Sequence, residues 1–111
     1  MIALVLLAGA AGAVLRFFTI RLVRAPWAVL VVNAVGSFVG GALIGTTTGD
    51  LRAILLTGFC GGLTTFSTFT VETVQLVMEK KVRTALLSVA ANLVLGIGAA
   101  AVGLALARLL A

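Results

Sequence analysis

Histidine is absent from the 111-residue sequence, cysteine occurs once, as Cys60, and only Asp50, Glu72 and Glu79 are acidic. Such a chain forms no internal disulfide and no Cys/His metal centre, and it holds neither a Ser-His-Asp nor a Cys-His arrangement. Charge is scarce altogether: 10% of residues carry it, against about 25% in a soluble domain. That is too little to cover the surface of a soluble protein this small. Enzyme chemistry is poorly supplied, and lipid is the expected solvent.

What is present is apolar. Hydrophobic residues make up 62% of a length that suits one domain, 1–111. The net charge of +5 would suggest nucleic acid in a soluble domain. Here the basic residues cluster between apolar runs, where they meet headgroups and anionic lipid, so the expected partner is the bilayer and not nucleic acid. Cys60, in an apolar, glycine-rich stretch, reads as a small packing residue. The first apolar run lacks a basic leader and three comparable runs follow it, so it is read as a span and not as a cleaved signal peptide.

A crossing of a ~30 Å hydrocarbon core takes about 20 mostly apolar residues. Spans are expected over 1–23, 27–45, 51–78 and 84–107. Pro26 suits the first turn of the second helix, with Trp27 at the interface. Thr46 to Asp50 reads as a loop, and Glu79, Lys80, Lys81 and Arg83 as a charged turn. The third run is longer than a straight span requires. Its middle pairs Gly61 and Gly62 with Thr64 and Thr65, which weakens a helix. The sequence therefore predicts that Gly61 and Gly62 are non-helical, in a break near the bilayer centre lined by protein or water. Small residues four apart (Ala8 and Gly12, Gly36 and Gly40, Gly41 and Gly45) permit close helix approach. Four tightly packed helices leave little room for a pore within one chain, and a pore is easier to build between subunits.

Polar groups inside spans are costly and face protein or water. Asn33 and Ser37 share a face of the second span, as interhelical glue or as donors to a ligand. Phe66 and Phe69 share a face of the third; two phenylalanines at this spacing are ordinarily packing, but ring edges are positive and, with an amide and hydroxyls, can replace the hydration shell of a small anion. Glu72 is the only acid well inside a span, either a functional group or a partner for Arg16. Ser88, Asn92 and Gly96 form a stripe on the fourth, a packing seam or one wall of a polar track.

The segment from Gly58 to Phe69, Gly-Phe-Cys-Gly-Gly-Leu-Thr-Thr-Phe-Ser-Thr-Phe, resembles the third-helix signature of the Fluc (CrcB) family of fluoride channels, with Glu72 at the family's spacing. Asn33 to Gly41 resembles the second-helix motif. Gly12, Ala13, Arg16 and Phe17 resemble the first, with Phe17 where tyrosine is frequent. The resemblance implies an all-α membrane protein of four transmembrane helices whose third is broken near its middle, paired as an antiparallel, dual-topology dimer with two fluoride pores. It implies passive fluoride export across the inner (plasma) membrane, which lowers fluoride toxicity. Asn33 would donate to fluoride, and Phe66 and Phe69 would present their rings. Ser67, Thr68, Ser88 and Asn92 would line the polar path, with Arg16 in the vestibule and Glu72 as a pore-coupled acid. The Gly61 and Thr64 carbonyls would hold a structural sodium ion at the dimer centre. The chain departs from the family at Ala28 and Val29, where Gly-Thr is common, at Ser88, where tyrosine is frequent, and at Asn92, where serine is.

A small multidrug exporter shares the four-helix, dual-topology plan but depends on an acid in its first helix, and this first span has none. A non-transporting scaffold would not need Asn33, Phe66, Phe69 and Glu72 together. With four spans, the side bearing both ends of the chain carries Arg52 and Arg108, and the other carries Arg21, Arg24, Lys80, Lys81 and Arg83. Positive charge favours the cytoplasm, so both ends are expected outside. Such imbalance keeps a heterodimer with an oppositely biased sister chain beside the homodimer.

Overall fold

Within hydrocarbon, a single apolar run satisfies its own backbone only as a helix. The computed structural model describes residues 1–110, and every regular element among those residues is a helix. α1 spans Ile2–Leu22 and α2 Trp27–Thr46. α3 covers 49–63 in three consecutive pieces: Gly49–Arg52, a π-helical stretch Ala53–Cys60, and Gly61–Leu63. α4 is Ser67–Met78 and α5 is Val82–Leu110. With α3 and α4 taken as one crossing, four segments are long and apolar enough to cross a membrane. The links between them are short, so successive segments run antiparallel.

The segment ends are closed by local chemistry. α4 finishes in a Schellman turn, with Lys81 N–H donating to Leu76 O at 2.8 Å, Lys80 N–H to Val77 O at 3.0 Å, and Lys80 at φ 61°. At the opposite end, Arg52 Nη2 donates to Ile44 O at 2.8 Å and to Thr47 O at 2.5 Å. That places a cation at the negative pole of α2.

Two seams hold the bundle together, α1 against α3 and α2 against α5. Both rest on backbone touching backbone. A Cβ on Gly62 would stand 2.2 Å from the Gly9 carbonyl oxygen, and one on Gly103 would stand 2.2 Å from that of Phe38. Large outward-facing residues such as Leu6, Leu7, Leu93, Val94 and Ile97 are exposed, the surface that a lipid-solvated chain presents.

The glycine pair behaves differently from the sequence expectation. Gly61 has φ −63° and ψ −36°, and Gly62 is also helical. Helical residues stop instead at Leu63, and Thr64 is extended at ψ 158° before α4 begins at Ser67. The reason is tertiary: Gly62 lacks a Cβ so that α3 can lie on α1, and that contact keeps it in the helix. Gly62→Ala and Gly103→Ala are each expected to lower stability by about 1–3 kcal/mol, as overpacking does. Gly98→Ala meets nothing within 4 Å and should be neutral or stabilising; thermal unfolding in detergent separates the three.

Candidate functional site

Interrupting a helix between Leu63 and Ser67 strands the backbone groups that the missing turn would have paired. In a continuous helix Thr65 N–H would bond to Gly61 O, Thr68 N–H to Thr64 O, and Thr65 O would accept from Phe69. Side chains from elsewhere take these roles. Asn33 of α2 accepts the Thr65 N–H at Oδ1 (2.8 Å) and donates from Nδ2 to Thr65 O (3.1 Å). Arg16 Nη1 of α1 donates to Thr64 O at 3.2 Å, a guanidinium beside the carbonyl end of α3. Thr68 N–H donates to Thr65 Oγ1 at 3.2 Å, which caps the start of α4.

The polar face of α2 meets the stripe on α5. Asn33 Nδ2 also donates to Asn92 Oδ1 at 3.2 Å, and Asn92 Nδ2 donates to Ser88 O at 2.8 Å. One turn along, Ser37 Oγ lies 3.8 Å from where a Gly96 Cβ would stand. A cavity of about 300 Å³ opens beside this junction, lined by Asn33, Ser37, Thr64, Thr65 and Phe66. A second, of about 470 Å³, shares Ser37 and Thr64 and follows Gly36, Gly40 and Gly41 of α2 past Cys60 and Gly61 to Ala100. The two share Ser37 and Thr64 and are treated as one groove, with its polar end at the break.

Other expected site residues fall as follows. Phe66 is 79% exposed, and its ring stands 6.2 Å from the Phe69 ring, centroid to centroid, at 44°. Ser67 is exposed and Thr68 half-buried. Ser88 is 1% exposed, outside the groove lining, and Asn92 touches the polar end of the groove through Asn33. Val29, at the family's threonine position, is buried within the chain. Glu72 does not pair with Arg16, which is directed to Thr64, and Glu72 Oε1 is buried without a hydrogen-bond partner. It lines a separate cavity of about 170 Å³ with Ala25, Pro26, Gln75, Leu76, Glu79 and Lys81.

The two carbonyls implied as sodium ligands differ in what they already hold. Gly61 is exposed, and the natural donor to its carbonyl, Thr65 N–H, is bound to Asn33. The Thr64 carbonyl accepts from Arg16 and keeps a second lone pair. No cluster of three or more His, Cys, Asp or Glu exists among the described residues. Sequence reasoning singled out Asn33 and Arg16 but missed Thr65, whose role depends on a partner 32 residues away. Asn33→Leu removes both of that residue's bonds to Thr65, so stability should drop by about 1–3 kcal/mol, as for buried groups left unpaired. Amide hydrogen exchange at Thr65 should quicken.

Comparison with known proteins adds the following. A family model described as CrcB-like protein, Camphor Resistance (CrcB), matches residues 3–104. A Thermococcus gammatolerans protein named fluoride-specific ion channel FluC is 43% identical over 110 residues, covering 90% of this chain and 89% of the relative. A Nocardia farcinica relative named FluC 1 is 46% identical over 88% of this chain and 74% of its own. A Rhodococcus jostii relative named FluC 2 is 41% identical over 90% of this chain and 92% of its own.

Proposed function

The chain belongs to the CrcB family, and from that premise we propose that two subunits assemble antiparallel to let fluoride leave the cytoplasm down its gradient. It is a fluoride channel, a multi-pass membrane protein and not an enzyme. The observation that carries the reading is the polar end of the groove: the Asn33 amide at an interrupted helix, open to a cavity whose rim is the exposed Phe66 ring. An anion that sheds water there needs replacement donors. The amide supplies protons, the rings of Phe66 and Phe69 supply positive edges, and Ser67 and Thr68 supply hydroxyls.

None of these groups carries full positive charge, so an ion is stabilised without being trapped. Arg16, which has full charge, is tied to Thr64 and acts on the anion only at a distance. A sodium ion held by the Gly61 and Thr64 carbonyls of both subunits would fasten the two interrupted helices at the dimer centre. The membrane is proposed to be the inner (plasma) membrane. The two-against-five distribution of basic residues, with relatives named FluC 1 and FluC 2, favours keeping a sister subunit as the partner alongside a second copy.

Purified protein in liposomes should release fluoride and retain chloride. Phe66→Ile and Phe69→Ile keep apolar volume but lose the ring edge; fluoride efflux should fall to the liposome background while the dimer still elutes intact. Near-normal efflux in both variants would contradict the role of the rings. C-terminal reporters for the two sides of the membrane test the partner: outside-only signal supports a fixed orientation and a sister chain, and comparable signal from both supports the homodimer.

A further inference from the structure

On the face of α2 opposite the polar groove, α1 and α2 part along an apolar crevice of about 280 Å³. Leu15 and Thr19 of α1 form one wall, Val31, Val35 and Val39 of α2 the other, and the buried Leu63 of α3 lies at its floor. Thr19 is its only polar lining residue, and the Thr19 hydroxyl already donates to Leu15 O at 2.9 Å. A cavity without free polar partners does not hold water. Leu15, Val31 and Val35 are exposed, so the crevice opens sideways to the bilayer. The occupant on offer there is hydrocarbon.

From Val31 to Val39 the helix rises about 12 Å, close to one leaflet of a ~30 Å core. The α1–α2 link, residues 23–26, joins the two walls, so one end of the crevice lies at that link and at the membrane surface. Trp27 opens α2 one turn before Val31, on the same face. Arg24 is exposed in the link, and its carbonyl accepts from the backbone N–H groups of Trp27 at 3.0 Å and Ala28 at 3.3 Å, which ties it to the start of α2. The positive pole of α2 is at the same place. No acid precedes Asp50 in the sequence, so neither the link nor the α1 and α2 walls offer Arg24 a carboxylate. Glu79 borders Ala25 and Pro26, but in a cavity that it shares with Lys81.

We propose that this crevice seats one acyl chain of an anionic phospholipid whose phosphate is held by Arg24. The crevice supplies the shape and Arg24 the selection by charge. A headgroup such as phosphatidylglycerol has no ammonium to offset its phosphate, so it is preferred over zwitterionic phosphatidylcholine. Arg21 provides the contrast. Two residues beyond Thr19, it sits on the other side of α1, with its guanidinium 5.2 Å from the Phe17 ring centroid. The proposal does not depend on the fluoride reading.

Trp27 is the only tryptophan, so its fluorescence reports on this site alone. The test places the assembled protein in phosphatidylcholine vesicles that contain graded amounts of phosphatidylglycerol or phosphatidylcholine brominated in the upper half of the acyl chain, and measures quenching of Trp27. Brominated phosphatidylglycerol should bind about 5-fold better than brominated phosphatidylcholine, the worth of one basic residue at an anionic surface. Arg24→Gln should remove that preference, and Arg21→Gln should keep most of it. Val35→Phe fills the crevice and leaves both arginines, so quenching should weaken and the preference should vanish. Leu15→Phe, on the opposite wall, should act alike and carries the test if Val35→Phe does not assemble. Val94→Phe, on the exposed face of α5, should change neither quantity. A wild-type protein that binds the two lipids equally overturns the proposal. Equal loss in Arg21→Gln and Arg24→Gln overturns it too, by reducing the effect to attraction toward a basic surface. So does an unchanged preference in both filled variants, because the lipid then lies outside the crevice.

Discussion

The amide of Asn33 bonded at both ends to the backbone of Thr65 is the interaction on which the rest of the structure depends. Inside hydrocarbon a stranded N–H or C=O has no water to turn to, and leaving one unpaired costs several kcal/mol. The gap between Leu63 and Ser67 strands several such groups at once. It exists because α2 brings Asn33 and α1 brings Arg16 within hydrogen-bond reach. Reach in turn depends on the glycine seams: α1 has to lie backbone to backbone on α3, and α2 on α5. Close packing and the interrupted helix are one design, since looser helices would leave Thr64 and Thr65 unpartnered.

The same arrangement leaves the polar end of the groove without a free full charge. The full charge nearest the break, Arg16, is bonded to a carbonyl, so the groove presents dipoles: an amide, hydroxyls and ring edges. The departures from the family pattern take on a meaning in this setting. Val29 is buried in the chain, and its apolar character matches its surroundings. Asn92, longer than serine, spans the distance from the Ser88 carbonyl to Asn33.

Much of this was legible in the sequence, for definable reasons. Four crossings follow from four apolar runs, because length and hydropathy alone decide whether a helix suits a bilayer. Asn33, Ser37 and the Ser88-Asn92-Gly96 stripe stood out because a polar residue in hydrocarbon has to be explained. Where the features depended on tertiary partners, the pattern misled or was silent. Gly61 and Gly62 looked like helix breakers, but Gly62 is held helical by its contact with Gly9. Of the two readings open for Glu72, a functional acid or a partner for Arg16, the pairing is not formed, because Arg16 is bonded to the Thr64 carbonyl. Nothing in Ala53–Cys60 announces a π-helix. The Ser88-Asn92-Gly96 stripe was open to two readings, a packing seam or one wall of a polar track, and the bond from Asn92 to the Ser88 carbonyl is a contact no sequence pattern marks.

The claim at the centre is that one amide both seals the interrupted helix and meets the ion. The side-chain resonances of Asn33, followed by ¹⁵N NMR in nanodiscs as salt is added, report on it directly. One of the two Asn33 Nδ2 protons should shift with added fluoride, its partner on Thr65 should stay in place, and neither should move with chloride at the same concentration. Asn33 signals that ignore fluoride, or that move equally with both halides, would contradict it.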